Sequence, residues 1–257
     1  MKITKIGSGD KKILLIHGWM HSSKRYMKFA EEIGNDCEVS LVDLPGFGEE
    51  EVEDYILKEK SLLNYFRDEV IDLLNNENFD IIIGHSLGGN LILRALAKMK
   101  YKFEGRIVLF NPCYNGIDAL KPILSLTKLN RTLFSFKNRF PKKVVKPFIK
   151  VLALITINDW KLIDDIIIND TIMANPYVSE KLMEELVFDE WRIRKKIKNI
   201  TIVESENDRL IKEKKIEILK SDVDSKVVKL KDIGHTPILE DYDNFVRIVK
   251  EELNKVL

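Results

Sequence analysis

Cysteine is close to absent, with Cys37 and Cys113 the only two in 257 residues. Two such separated thiols make neither a disulfide framework nor the paired spacing of a zinc site, and they suit a reducing compartment. An excess of one charge is lacking too. The 42 Lys and Arg stand against 41 Asp and Glu, for a formal net charge of +1, which removes any global electrostatic argument for nucleic acid or an anionic membrane as partner. No apolar run is long enough to cross a bilayer: the longest, residues 151–157, falls far short of the ~20 residues a spanning helix needs. The N-terminus carries no apolar core of a signal peptide, so the expectation is a cytoplasmic protein. There is no P-loop, and Gly46-Phe47-Gly48 stops short of a dinucleotide fingerprint, so no nucleotide cofactor is expected.

What is present is alternation. Short apolar runs at 12–17, 39–43, 80–84, 106–111, 200–204 and 226–230 read as strands, and amphipathic stretches at 24–33, 62–75, 86–99, 212–220 and 242–256 read as helices. This is the pattern of an α/β fold with a parallel sheet and crossover helices. Between 111 and 200 the alternation stops for longer than any loop of a compact domain. An inserted helical segment, 112–199, is expected there, punctuated by Pro122, Pro141, Pro147 and Pro176. Its charge is uneven: all nine charged residues from 119 to 158 are basic, whereas eight acids face the single Lys181 from 164 to 190. Two solvated faces that partly pair with each other explain this at least as well as a docking surface.

The chemistry concentrates at Gly84-His85-Ser86-Leu87-Gly88, which joins the run 79–84 to the helix-like run 90–97. A serine between strand and helix sits on a turn so tight that small residues are needed two before and two after it, and Gly84 and Gly88 supply them. Such a serine needs a base, and the base needs an orienting acid. The chain has four histidines, His17, His21, His85 and His235, and only His235 follows Ser86 in the order serine, acid, histidine that such elbows use. The loop after 200–204 offers Glu204, Glu206 and Asp208; Asp208, at its tip, is the chosen acid, although an Asp there also suits a helix N-cap. The backbone N–H groups of Leu87 and Trp19 are the expected oxyanion donors. His17, Gly18, His85 and Cys113 lie beside these motifs and are expected to line the substrate pocket. Cys113 itself reads as a buried small residue rather than a nucleophile. His17 and His21 have zinc-like spacing but lie on a glycine turn without a metalloprotease glutamate, so no metal is expected.

Together, His17-Gly18-Trp19, the run Asp43-Leu44-Pro45-Gly46-Phe47-Gly48, Gly84 to Gly89, Asn207-Asp208 and Gly234-His235 resemble the α/β-hydrolase superfamily across nearly the whole core. The resemblance implies the α/β-hydrolase fold, a mostly parallel sheet flanked by helices, with 1–111 and 200–257 as the core and 112–199 as a helical cap. Within the superfamily the motifs, with Asn111-Pro112-Cys113, are most similar to the pimeloyl-acyl-carrier-protein methyl ester esterases of biotin synthesis. That similarity implies a Ser86-Asp208-His235 triad, an ester substrate, no cofactor, and an acidic carrier protein docked on basic cap residues, here Lys142, Lys143 and Lys146. Two departures stand out. His85 replaces the tryptophan common in that family, and Glu49-Glu50-Glu51 follows Gly48. They leave a small-molecule ester, a thioester or a lactone open as substrate, and a non-catalytic ligand-binding or scaffold role remains the alternative outside enzymology.

Overall fold

The computed structural model describes residues 1–122 and 142–256, without the side chains at 142, 143, 148, 151 and 152. Of the basic positions in the insertion, Lys128, Arg131, Lys137 and Arg139 lie outside the described residues, as do the side chains of Lys142 and Lys143.

Strands β1 (Lys2–Ile6), β2 (Lys11–Ile16), β3 (Cys37–Asp43), β4 (Ile81–His85), β5 (Arg106–Phe110), β6 (Ile200–Ser205) and β7 (Ser225–Leu230) form one sheet in the order β1-β3-β2-β4-β5-β6-β7. All pairs are parallel except β1 with β3. Six of these strands follow the apolar runs of the sequence. The seventh, β1, escaped that reading because Lys-Ile-Thr-Lys-Ile is only half-buried at the sheet edge and shows no apolar run.

The central strands are apolar on both faces because both faces are covered. Ile13 and Leu15 of β2 point into a layer with Tyr26, Phe29 and Phe245, while Leu14 and Ile16 point into the opposite layer with Phe66 and Leu91. The first layer holds helices α1 (Met27–Ile33) and, at the far end of the chain, Tyr242–Leu253. The second holds α2 (Leu62–Asn76), α3 (Leu87–Lys98) and the helix Glu213–Asp222. The helix expected over 24–33 begins instead with a 3-10 turn, Ser23–Tyr26, because the Ser23 N–H and hydroxyl both bind the Asp43 carboxylate and hold the entry out of α-geometry.

Between β5 and β6 the described residues contain α4 (Lys142–Ala153), α5 (Asp165–Met173) and α6 (Pro176–Val187), and no strand. Pro176 opens α6 behind an Asn175 cap, as proline can. Pro147 behaves otherwise: it lies inside α4 rather than ending it. Packing holds the helix through it, since Val145 and Ile149 are buried against Ile163, Ile167 and Ile168 in a cluster of their own. In contrast, α6 buries Val178, Leu182 and Leu186 in the main core. The insertion is tied down by a buried ion pair, Arg25 to Asp170 at 2.9 Å with side chains 3% and 5% exposed. The Ser22 hydroxyl donates to the same carboxylate at 2.5 Å.

The sheet order reverses around β2, whose neighbours are β3 on one side and β4 on the other. In open α/β sheets the crevice beyond the strands' carboxyl ends at such a point is where ligands bind. Both the His17-Gly18-Trp19 turn after β2 and the Ser86 turn after β4 open there.

Candidate active site

Ser86 connects β4 to α3 with φ +51°, a backbone region that L-residues other than Asn and Asp rarely occupy. The neighbours explain why the chain tolerates it. A Cβ at Gly88 would lie 2.1 Å from the Ile16 carbonyl oxygen, and one at Gly84 would lie 2.6 Å from the Gly89 nitrogen. The Ser86 N–H donates to the Phe110 carbonyl at 3.0 Å, and its own carbonyl accepts from the Cys113 N–H at 3.1 Å, so the turn is pinned to β5 and the residues beyond it.

Three groups far apart in sequence meet at this turn. His235 Nε2 lies 2.8 Å from Ser86 Oγ, and His235 Nδ1 lies 2.6 Å from Asp208 Oδ2. All three residues are buried. The second oxygen of Asp208 accepts from the N–H groups of Leu210 at 2.7 Å and Ile211 at 2.9 Å. The competing role of Asp208 as a helix cap therefore takes a different form: it caps its own loop, because the next helix starts only at Glu213. Both roles orient the same carboxylate. Glu204 and Glu206, the other acids of this region, carry no bond to His235: Glu204 lies within β6, one residue before its end, and burial raises the pKa of its carboxyl.

Sequence reasoning missed what holds His235. Its carbonyl accepts from Asn111 Nδ2 at 3.0 Å and from His85 Nε2 at 2.8 Å, while its N–H donates to the Thr156 carbonyl at 2.9 Å. Asn111 also bonds Ser205 through both amide atoms and sits at φ +44°, a conformation asparagine tolerates well. Its place at a strand end before Pro112 was the available signal. The flanking N–H groups of Gly234 and Thr236 both bind the Glu240 carboxylate, which no spacing pointed to.

Of the proposed oxyanion donors, Leu87 is the first residue of α3, where an N–H has no intrahelical acceptor. Trp19 stands in the turn closed by the His21 N–H on the Gly18 carbonyl at 3.1 Å, beside Met20 at φ +56°. Its indole N–H donates to the Ser179 carbonyl of α6 at 3.0 Å, so the ring joins the core turn to the insertion.

A cavity of about 30 Å³ lies over Ser86 and His235. His21, His85, Cys113 and Thr156 add to its polar lining, and Trp19, Met183, Leu186 and Leu120 are among its apolar lining. His85 and Cys113 thus take the positions expected of them, whereas His17 and Gly18 do not line it. His17 is fully buried below: its Nε2 accepts from the Leu44 N–H at 3.2 Å and its Nδ1 donates to the Gly18 carbonyl at 2.7 Å, a clamp between β2 and β3 that leaves neither nitrogen for a ligand. Gly18 packs against the His85 ring, where a Cβ would come within 2.7 Å of Nδ1. Cys113 Sγ lies 3.3 Å from Ser86 Oγ, and burial pushes its thiol up to about 12, so it faces the serine as a neutral group. Burial also lowers His85 and His21 well below the usual histidine range, leaving both rings neutral. In the insertion, Lys146 pairs with Asp165 at 2.6 Å, in keeping with partial pairing of its basic and acidic stretches. Among the described residues no group of three or more His, Cys, Asp or Glu is placed to hold a metal ion, and no helix is long and apolar enough to cross a membrane.

Comparison with known proteins gives this geometry a context. The model of the alpha/beta hydrolase family matches residues 13–248. A curated pimeloyl-[acyl-carrier protein] methyl ester esterase from Wigglesworthia glossinidia brevipalpis is 31% identical over 144 residues, 56% of this chain and 52% of that one. The chain thus matches about half the length of this relative. Among solved structures, a thermophilic esterase from Thermogutta terrifontis superposes with a TM-score of 0.73 at 18% identity, covering 99% of this chain and 93% of that one. The esterase RhEst1 from Rhodococcus sp. ECU1013 does so with a TM-score of 0.75 at 16% identity, covering 99% and 94%. At these identities the likeness is one of fold.

Proposed function

Since the chain belongs to the alpha/beta hydrolase family, we propose that it is a serine carboxyl-ester hydrolase in which Ser86, His235 and Asp208 act as nucleophile, base and orienting acid. The observation that carries this reading is the continuous chain of 2.6 and 2.8 Å contacts from Asp208 through His235 to a serine held at φ +51°. A serine hydroxyl attacks only if its proton is removed in the same step. His235 Nε2 is within reach to accept it, and Asp208 fixes Nδ1–H inward and stabilises the imidazolium that forms. The N–H groups of Leu87 and Trp19 bind the oxyanion of the tetrahedral intermediate. As it collapses, His235 returns the proton to the leaving alcohol; a water deprotonated by His235 then releases the acid from Ser86.

For the substrate, the similarity to the Wigglesworthia esterase supports a methyl ester of an acyl chain carried by an acyl-carrier protein, as in biotin synthesis. On this reading 112–199 is the cap, and its basic residues Lys142, Lys143 and Lys146 receive the acidic carrier. A small ester is the second reading, favoured by a cavity whose ~30 Å³ holds about one water-sized group. Ser86→Ala is expected to abolish turnover of both a carrier-bound methyl ester and a short p-nitrophenyl ester while the circular dichroism spectrum stays unchanged. Retained turnover removes Ser86 from its role; turnover of the short ester alone by the unaltered enzyme decides for the second substrate reading.

A further inference from the structure

One surface outside the catalytic site is strongly basic. From Trp191 to Val203 every charged residue is a cation, Arg192, Arg194, Lys195, Lys196 and Lys198, in a chain whose formal net charge is only +1. Along 191–199, which forms neither helix nor strand, Arg192, Arg194, Lys196 and Lys198 are exposed while Ile193 and Ile197 between them are buried. Exposure at every second residue marks an extended chain with one side on the core. Four cations therefore stand in a row on its outer side.

The row borders a groove of about 680 Å³ between this segment and helices α2 and α3. Six cations line the groove, Arg67, Arg94, Lys98, Arg192, Arg194 and Lys195, against Glu190. Some of them are already neutralised: Arg67 and Lys98 share Asp68 at 2.8 Å, Arg94 binds Asp189, and Arg192 binds Asp222. Others are not. Lys195 donates to main-chain carbonyls at the end of α3, Met99 among them at 2.8 Å. Arg194, Lys196 and Lys198 have no side-chain hydrogen bond or ion pair among the described residues. With Lys196 and Lys198 included, eight cations stand against five carboxylates: Asp68, Asp189, Glu190, Asp222 and Asp224, whose N–H bonds the Ile197 carbonyl.

The groove is joined to the catalytic cavity. Lys121, next to the cavity residue Leu120, pairs with Glu190 at 3.6 Å. Asn90 Nδ2 donates both to Asp189 at 3.3 Å and to the carbonyl of the cavity residue Cys113 at 2.9 Å.

Pairs between exposed charges contribute little singly, so a surface of this kind acts through several of them at once. A single small anion engages too few of the row. A nucleic-acid strand, charged at every step, would set phosphates against Asp189, Glu190 and Asp222 as well as against the cations. A protein segment can place carboxylates opposite Arg194, Lys196 and Lys198 and uncharged side chains opposite the ions already paired, with Trp191 and Ala97 as the apolar part of the groove. We propose that the groove and the row from Arg192 to Lys198 form a docking surface for an acidic protein segment, separate from the basic residues of α4. Lys146 of α4 is already paired with Asp165.

The test follows the fluorescence anisotropy of a labelled deca-glutamate peptide added to the whole protein at low salt. Binding is expected, and it should weaken by about tenfold or more as the ionic strength rises from about 0.05 to 0.3 M. Arg194→Glu, Lys196→Glu and Lys198→Glu combined are expected to weaken it by about tenfold or more as well, with turnover of a short p-nitrophenyl ester unchanged. The same reversal at Lys142, Lys143 and Lys146 should change the affinity by less than about twofold if the surface lies where the unpaired cations are. No binding at low salt, or binding that survives the reversal at 194, 196 and 198, overturns the proposal. So does tighter binding of an oligothymidylate of the same length, which would assign the surface to nucleic acid. Should the triple variant fail to fold, Arg194→Gln and Lys196→Gln measured singly decide: each weakens peptide binding, or the surface is not the one that holds it.

Discussion

The carboxyl edge of the sheet and the insertion above it are built on different principles. At the sheet edge, position is fixed by backbone and by fully engaged polar groups: Ser86 by its turn, Asp208 by two loop N–H groups, His235 by bonds on both sides of its peptide. In the insertion, α4 and α5 rest on a small apolar cluster of their own, and Trp160, Met173 and Val144 are more than half exposed. The rest of this region is held to the core by α6, which buries Val178, Leu182 and Leu186 there, and by polar contacts such as Arg25 with Asp170, Glu185 with Ser61, and the Trp19 indole with Ser179. Under the function proposed above, this difference becomes a division of labour in which the edge sets the reaction and the segment between β5 and β6 sets what reaches it.

If that division holds, the largest loss of rate outside Ser86 itself follows from Asp208→Asn. The amide keeps the loop bonds through its oxygen but no longer fixes the His235 tautomer, and kcat is expected to drop by roughly 10³–10⁴ at pH 7 with little change in melting temperature. A drop of less than tenfold would mean that the edge does not orient its base through this carboxylate.

The next effect belongs to the join between the regions. Arg25→Ala strands the Asp170 carboxylate in a buried site and is expected to cost about 3–5 kcal/mol in denaturant unfolding, whereas Arg25→Leu combined with Asp170→Leu recovers much of it. If the single variant loses under 1 kcal/mol, the insertion does not depend on this pair.

Smallest is the effect of pH. An unfolded imidazole titrates near 6.5, but burial holds His21 and His85 well below that in the folded protein, so beneath pH ~6.5 the unfolded chain binds more protons. Stability is then complete above that pH and falls as the solution becomes more acidic, by at most about 1.4 kcal/mol per ring per pH unit. Melting temperature measured from pH 7.5 to 5.5 should show this fall, and His21→Phe should flatten it. Superimposable slopes would contradict the burial of a neutral ring at the sheet edge.

How much of this was legible in the sequence follows the same division. The central strands were readable because a strand buried on both faces is largely apolar, β7 at the half-buried far edge only through Val227 and Val228, and Ser86 because its turn admits only small neighbours. His235 was readable by chain order. Asp208 was readable only in part, since an aspartate that caps a loop and one that bonds a histidine look alike in sequence; here its two oxygens make both contacts. His17 misled, because proximity in sequence to the oxyanion turn says nothing of which way a ring points after the strand ends. The supporting contacts of Asn111, Glu240 and Asp170 cross 94, 6 and 145 positions respectively to Ser205, Gly234 and Arg25, and two of those three separations lie beyond any local pattern.

The most direct test of the central claim is to find where the acyl group rests during turnover. After a brief acid-quenched reaction with a p-nitrophenyl ester, peptide mass spectrometry is predicted to place one acyl group on Ser86, in amount equal to the initial burst of p-nitrophenol, and none in Ser86→Ala. An acyl group on Cys113, or turnover with no acylated peptide at all, would contradict it.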